Sequence, residues 1–449
     1  MIGEQALRDA AQRALQLAEG DGRAAEVLLL AEESALTRFA NNEIHQHVAE
    51  RDVLVHVRIA IGRRLGTATA NGLEEATLRR AVEQATTVAR LSRENPDFPG
   101  FPGPYRTGPV AAAWAESTAR ATPESRADRA GVICRRAAAA GLTAAGHCST
   151  ALTETLLANS VGTYGYHAGT HARLQAVLMT ESSSGYSLRQ GSDFEALDVE
   201  AVAAEAAQKA ERGRNPHDLE PGEYDVVLEP YAAEDVLRFV ASLGLNGRAL
   251  LEKTSFATGK LGERLLSEQV TLRDDPLDPA GAVRPFDAEG VPKRPLTLID
   301  RGVVAAVTYD SITARKAGTQ TTGHALIGGA GMGPVATNLK LEPGTLSREQ
   351  LIGKIERGLL VTRFWYTRTV HPLTVTVTGM TRDSTFLIER GELTRPVKNL
   401  RFTQGYVQAL QQVIGIGSET LLVGESAGSP IQTPAIAIHG FRFTGKSEY

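Results

Sequence analysis

Two short stretches rich in proline and glycine divide the 449-residue chain into three segments. Residues 95–104 (NPDFPGFPGP) contain four prolines, and residues 214–222 (RNPHDLEPG) contain two more. Proline can neither continue a helix nor pair within a central strand, so both stretches predict linkers. We therefore predict an N-terminal domain at 1–94, a middle region at 111–214 and a larger C-terminal domain at 223–449.

Each segment mixes helical and strand patterns, which predicts the α+β class. Proline in the first turn predicts a helix that is entered through Thr122-Pro123-Glu124. A second helix is predicted to begin after Asn71, as its cap, and to run to about Ser92. The other predicted helices cover residues 3–20, 198–213 and 231–245. The predicted strands cover residues 25–30, 36–48, 53–61, 64–70, 145–158, 170–181, 184–190 and 224–228.

Local turn and cap signals organise the C-terminal segment. Residues 300–302 (DRG) and 389–391 (ERG) each lie between alternating apolar runs, which predicts two hairpin turns. Residues 347–350 (SREQ) form a capping box that predicts a helix over 347–360. Asp274, Asp275 and Asp278 lie among prolines, and this predicts a solvated loop.

Composition excludes several classes of protein. Lys+Arg 48 against Asp+Glu 52 gives a net charge of -4, so the chain lacks the basic surface of a nucleic-acid binder. Cys134 and Cys148 are too few for a disulfide scaffold or a cysteine-rich zinc module. The N-terminal helix is charged, and no apolar run approaches the length of a membrane span. We therefore expect a cytoplasmic protein without membrane or nucleic-acid partners.

Three glycine-containing motifs match known patterns but lack the required context. Residues 440–447 (GFRFTGKS) fit the phosphate-loop pattern, yet only two residues remain for the helix that must follow. Residues 424–428 (GESAG) fit a nucleophile elbow, but Pro430 and Pro434 block its helix. Pro334 follows residues 328–333 (GGAGMG), against a dinucleotide fingerprint. These patterns predict a terminal strand, a turn and a cleft-lining loop.

The histidines give no helical zinc motif, because no histidine is followed directly by glutamate. His45 and His47 alternate on one strand, and His56 lies on the next. They could contribute to a metal site; the alternative is that they are surface or hydrogen-bonded histidines.

Several stretches together resemble the TldD/PmbA family, the bacterial "modulator of DNA gyrase" group. They are residues 37–46 (TRFANNEIHQ), 252–263 (EKTSFATGKLGE), 286–292 (FDAEGVP), 338–344 (NLKLEPG) and 395–400 (RPVKNL). The resemblance spans nearly the whole chain and implies a role in peptide or protein proteolysis. The family contains TldD-like zinc metallopeptidases and PmbA-like (TldE) partner subunits that lack the zinc motif.

This sequence is similar to the zinc-less kind. The family's HExxxH motif aligns with Arg238 and Phe239 in place of His-Glu, and with Leu243 in place of the second histidine. The family's cysteine ligand would fall at 424–428, where Ser426 stands and no cysteine occurs. The spacing of Val236, Phe239, Val240 and Leu243 independently predicts an apolar helix stripe. We therefore predict no metal or other cofactor in this chain.

The resemblance implies a partner role, with zinc held by a TldD-like subunit in a heterodimer, or a homodimer without it. The substrate would be a peptide or an unfolded protein. Residues 362–371 (TRFWYTRTVH) concentrate aromatic and arginine side chains, which are favoured anchors for extended peptides. The candidate peptide-binding residues are Arg363, Trp365, Tyr366, Arg368 and His371. The alternative for this segment is an ordinary core strand with exposed arginines and no role in binding.

Two other functions stay open from the sequence. The chain could be an independent hydrolase that uses Glu234 or Asp235 with His324 or His371, or a zinc site of non-helical residues. It could also be a non-enzymatic regulator that binds another protein. Whether the chain has any catalytic activity of its own, and which residues would be catalytic, is left open.

Overall fold

Strands from the N-terminal and middle segments form one sheet. The computed structural model describes residues 1–20, 22–328, 333–424 and 429–447. The strands of the first sheet are β1 (Arg23–Ala40), β2 (Glu43–Ile61), β3 (Arg64–Asn71), β4 (Arg106–Thr107), β5 (Thr143–Asn159), β6 (Tyr164–Met179) and β7 (Ser184–Gly191). Within the described residues this seven-stranded sheet has the order β3-β2-β1-β5-β6-β4, and β7 pairs with β6. The antiparallel pairing of β1 with β5 joins the two segments.

Helices cover one face of the first sheet. They are α1 (Glu4–Ala18), α2 (Glu75–Leu91), α3 (Glu116–Ala119), α4 (Pro123–Ala139) and α5 (Val199–Arg212), and a short 3-10 helix (Ala111–Ala113) precedes α3. Alternate strand residues such as Val27, Leu29 and Val57 are fully buried on the covered face. The opposite face contacts the C-terminal segment, for example where Leu157 packs with Phe286.

The C-terminal segment forms a second sheet. Its strands are β8 (Gly222–Leu228), β9 (Leu272–Asp274), β10 (Leu296–Asp300), β11 (Val303–Val304), β12 (Leu339–Leu341), β13 (Arg357–His371), β14 (Thr376–Glu389), β15 (Glu392–Val397), β16 (Leu400–Gly405), β17 (Val413–Val423) and β18 (Ile431–Lys446). The path β8-β13-β14-β16-β18 closes on itself, because β18 also pairs with β8. The remaining strands extend from β14 and β18.

The helices of this segment are α6 (Pro230–Gly244), α7 (Gly247–Leu251), α8 (Ser311–Ala317), α9 (Arg348–Gly353) and α10 (Tyr406–Gln411), with a 3-10 helix at Pro372–Thr374. Val236 and Val240 of α6 are fully buried in the same core as Phe402 and Ile438 of the strands. This packing fixes α6 against the sheet. None of the helices in the described part of the chain has an apolar stretch of the length needed to span a bilayer.

The predicted α+β class is confirmed, and so are several local signals. Pro123 lies in the first turn of α4, as predicted. The predicted cap at Asn71 is wrong, because Asn71 ends β3 and donates to Asp52 Oδ1 at 2.7 Å, and α2 begins at Glu75. Ile299 pairs with Val304, and Glu389 pairs with Glu392, as the two predicted hairpins require. Residues 440–446 of the segment that matches the phosphate-loop pattern lie in β18, as the predicted terminal strand requires.

Several predicted element bounds are wrong. The capping box at Ser347 forms, but α9 ends at Gly353, and β13 already begins at Arg357. β1 runs unbroken through residues 31–35 and β2 through residues 49–52. The chain turns inside the strand predicted at 36–48, at Asn41 and Asn42, both with positive φ. Asparagine tolerates a positive φ, so the turn forms there. Glu32 and Glu33 interrupt the apolar pattern of β1, and for this reason the sequence predicted two strands instead of one.

The prediction of a solvated loop at Asp274 is also wrong. Asp274 is completely buried, and its Oδ2 lies 3.2 Å from Lys293 Nζ and 3.0 Å from His324 Nε2. Burial opposes its charge, but Lys293 and His324 hold the pKa of Asp274 well below its usual range. Asp278 pairs with Lys340 at 2.7 Å. These partners lie far away in sequence, so local proline content could not reveal them.

Candidate functional site

The three zinc-motif positions lie on α6, and Arg238 replaces the first histidine with an ion-paired cation. Its Nε donates to Glu234 Oε1 at 3.1 Å, and its Nη2 donates to Asp235 Oδ2 at 2.9 Å. The guanidinium also lies 4.6 Å from the centre of the Phe239 ring. The two α6 carboxylates are therefore paired with a permanent positive charge.

The other two motif positions hold packing residues. Phe239 is buried and contacts the ring of Tyr406 edge-on, with 6.1 Å between the ring centres. Leu243 is partly buried against the same core. Together with Val236 and Val240, they form the apolar stripe that the sequence spacing predicts.

The donors on α6 do not fit a zinc ion. Both oxygens of Asp235 already accept hydrogen bonds, from Tyr406 Oη at 2.8 Å and from Thr367 Oγ1 at 2.8 Å in addition to Arg238. Burial raises the pKa of Asp235. Among the described residues, no three His, Cys, Asp or Glu side chains are arranged to hold a metal ion. Ser426 lies outside the described residues.

An open cleft of about 460 Å³ runs beside α6. Tyr186 and Leu188 of β7 form one side of the cleft, and β13 forms the other. Tyr231, Glu234, Asp235 and Arg238 come from α6. The cleft therefore lies where the first sheet meets the C-terminal segment.

The structure brings four of the five peptide-binding candidates to this cleft. Arg363, Trp365, Tyr366 and Arg368 of β13 line it. His371 is at the exposed end of β13, where its Nδ1 lies 3.2 Å from Thr374 Oγ1, and it is not a lining residue. The sequence patterns did not single out Tyr186 or Tyr231, because both meet β13 only in the folded chain.

Aromatic and arginine side chains build the wall of the cleft. The rings of Tyr186 and Tyr231 meet edge-on at 5.0 Å. The Arg363 guanidinium lies over Tyr186 at 4.3 Å and over Trp365 at 5.1 Å. Such contacts hold flat side chains in fixed orientations, as a binding surface requires.

The alternative hydrolase constellation is not assembled with His324. This histidine is buried with Asp274, and burial lowers its pKa. Its Nδ1 lies 2.9 Å from Thr322 Oγ1, so its contacts are not with the carboxylates of α6. The structure instead gives His324 a structural role beside Lys293.

The N-terminal histidines lie in separate environments. His45 and His47 are exposed on β2, and His47 Nδ1 lies 2.9 Å from Thr37 Oγ1. His56 is buried, and burial lowers its pKa to about 4. In the part of the chain that the structure describes, they do not form a metal-binding group.

Comparison with known proteins matches nearly the whole chain to one family. The PmbA/TldA metallopeptidase domain 1 matches residues 25–89, the central domain residues 113–214 and the C-terminal domain residues 221–445. The metalloprotease PmbA homolog of Haemophilus influenzae is 23% identical over 98% of this chain and 97% of its own length. A metalloprotease of Methanothermobacter thermautotrophicus is 28% identical, and that match covers 50% of each protein.

The fold is also similar to a solved structure. TldE from Thermococcus kodakarensis superposes with a TM-score of 0.85 at 22% sequence identity, covering 98% of this chain and 100% of that one. This likeness extends across all three segments.

Proposed function

The chain belongs to the PmbA/TldD metallopeptidase family, and from this premise we propose that it is the zinc-less partner subunit of a TldD-like zinc protease. One observation carries the proposal: Arg238 stands at the first motif position and is ion-paired with both acidic residues of α6. A dication at this position would face a guanidinium that cannot deprotonate. Hydrolysis would then be performed by the zinc of a second chain.

The role proposed for this chain is to hold the substrate. The cleft beside α6 is open, and its wall of Trp365, Tyr366 and Arg368 suits an extended peptide or an unfolded segment. The assembly would be a heterodimer with the TldD-like chain, or a homodimer when that chain is absent. No bond-breaking step is assigned to the residues of this chain.

A reconstitution assay tests the proposal. Hydrolysis of an unfolded protein is measured with this chain alone, with a TldD-like zinc chain alone and with the two mixed. We expect no hydrolysis by this chain alone and faster hydrolysis by the mixture than by the zinc chain. Activity of this chain alone would favour the independent hydrolase, and no effect on the zinc chain would favour the non-enzymatic regulator.

Trp365→Ala is expected to weaken peptide binding about 10-fold to 30-fold, because an exposed aromatic side chain that becomes covered by the ligand contributes a large share of binding energy. Trp114→Ala is the matched control, since Trp114 donates to Glu116 and does not line the cleft. Affinity is measured by calorimetry, after thermal denaturation has shown that both variants fold. Equal affinities for the two variants would contradict the assigned role of the cleft.

A further inference from the structure

Glu234, Asp235 and Asp383, which lie in or beside the cleft, are ion-paired within the protein. Glu234 and Asp235 pair with Arg238. Asp383 of β14 pairs with Arg363 and accepts from Ser184 Oγ at 2.7 Å. Each of these acidic side chains is therefore already held by an arginine of the protein, and Glu234 and Asp235 share one.

Two arginines lack such partners: Arg368, which lines the cleft, and Arg382 of β14, which lies beside the lining residue Trp365. Arg368 and Arg382 are both exposed, and neither forms an ion pair with a carboxylate within the described ranges. Arg368 lies over the Tyr366 ring at 4.4 Å, and Arg382 lies over the Trp365 ring at 4.5 Å. Stacking on a ring orients a guanidinium without neutralising it. The wall thus presents two positioned, uncompensated positive charges.

The pairing of β13 with β14 adds a like-charge contact. Arg363 lies directly opposite Arg382 in the strand register. Like charges at opposed positions destabilise a sheet, and only one of these two arginines has Asp383 as a partner. A bound anion beside Arg382 would relieve this repulsion.

The backbone of β13 is strained at Tyr366, where the rings of Trp365 and Tyr366 are exposed. Tyr366 has φ 54°, and the strand register shifts between Trp365 and Arg368. A positive φ at a bulky residue is unfavourable and is retained mainly where function requires it. The bulge leaves the Tyr366 side chain 64% exposed and Trp365 36% exposed beside the two cations. Apolar ring surface and positive charge therefore lie side by side.

We propose that the cleft selects peptide segments in which an acidic side chain adjoins an aromatic or large apolar one, with Arg368 and Arg382 as the specificity-determining residues. The apolar side chain packs on Trp365, Tyr366 and the β7 residues Tyr186 and Leu188. The neighbouring carboxylate pairs with one of the two guanidinium groups. This inference rests on the proposed peptide-binding function and names its substrate class.

Three capped peptides test the selectivity. They are identical except that a central phenylalanine is flanked by aspartate, asparagine or lysine. We expect the aspartate peptide to bind about tenfold more tightly than the asparagine peptide, and the lysine peptide to bind most weakly. The preference should shrink at an ionic strength of about 1 M, where charges are screened beyond about 3 Å.

Two variants test whether Arg368 and Arg382 cause the preference for an acidic side chain. The double variant Arg368→Gln/Arg382→Gln is expected to remove the preference for aspartate over asparagine. The control Arg13→Gln/Arg90→Gln, which removes two charges from exposed positions of α1 and α2, should keep it. Equal binding of all three peptides to the unmodified chain would overturn the inference and leave the peptide-binding role intact. Absence of binding by every peptide would overturn both, and a preference that survives in the double variant would overturn the assignment to these arginines.

Discussion

Replacing Lys209 with alanine is expected to lower the free energy of unfolding by about 2–3 kcal/mol, because it removes the buried cation that Glu205 and Glu229 share. Each carboxylate then keeps one other cation, Arg189 or Arg348. Lys209 Nζ lies 2.7 Å from Glu205 Oε1 and 2.7 Å from Glu229 Oε2, with the Tyr231 ring 5.0 Å away. Burial opposes the charge of Lys209, but Glu229 and Glu205 together raise its pKa. Burial is likewise outweighed at Glu205, where Lys209 and Arg189 lower the pKa to about 2.

This ion pair joins the middle segment to the start of α6. Glu205 lies on α5, and Glu229 immediately precedes α6. Chemical denaturation of Lys209→Ala and Lys209→Met measures the effect, and methionine retains the apolar stem while removing the charge. Lys446→Ala, which breaks an exposed pair with Glu220, should leave stability unchanged within error. Wild-type stability in Lys209→Met would show that the charge is dispensable.

The contribution of Glu26 of β1 to the free energy of unfolding is expected to fall by about 3 kcal/mol as the pH rises from about 4.5 through about 7. Glu26 is buried, and burial raises its pKa to about 7. Arg58 Nη1 lies 3.4 Å from Glu26 Oε1 and lowers the pKa, while Glu289, paired with the same arginine at 3.3 Å, raises it. Because the folded pKa exceeds the unfolded value, the folded chain binds the extra proton and is stabilised below this window.

Glu26→Gln should remove this contribution, so the difference in unfolding free energy between wild type and variant should change by about 3 kcal/mol across the window. Both proteins keep the opposing contribution of buried histidines such as His56, whose pKa burial lowers to about 4. Both also keep the contribution of Asp287, because burial and Glu289 raise its pKa to about 7. Urea denaturation at about pH 5 and about pH 8 measures both slopes. Glu32→Gln, on the exposed part of the same strand, should retain the wild-type slope. Identical slopes for wild type and Glu26→Gln would disprove the assignment.

Features that depend on neighbouring residues could be predicted from the sequence. The α+β class, the helix start at Pro123 and the two hairpins each depend on a few neighbouring residues, and all are confirmed. The family was also identifiable, because its motifs are spread along the chain.

Features that depend on distant residues were not predictable. Asp274 is buried because Lys293 and His324 neutralise and hydrogen-bond it from 19 and 50 residues further along the chain. Tyr186 joins Arg363 only where β7 of the first sheet meets β13 of the second. No periodicity in either segment indicates such a contact, so the middle-region side of the cleft could be found only from the structure.

The central claim is that this family member binds no zinc of its own. Elemental analysis of the purified, untagged chain after dialysis measures zinc per chain directly. The ion pairs of Arg238 with Glu234 and Asp235, and the packing of Phe239 and Leu243, predict a value near zero. About one zinc per chain surviving dialysis, the stoichiometry of a single protein site, would contradict the claim.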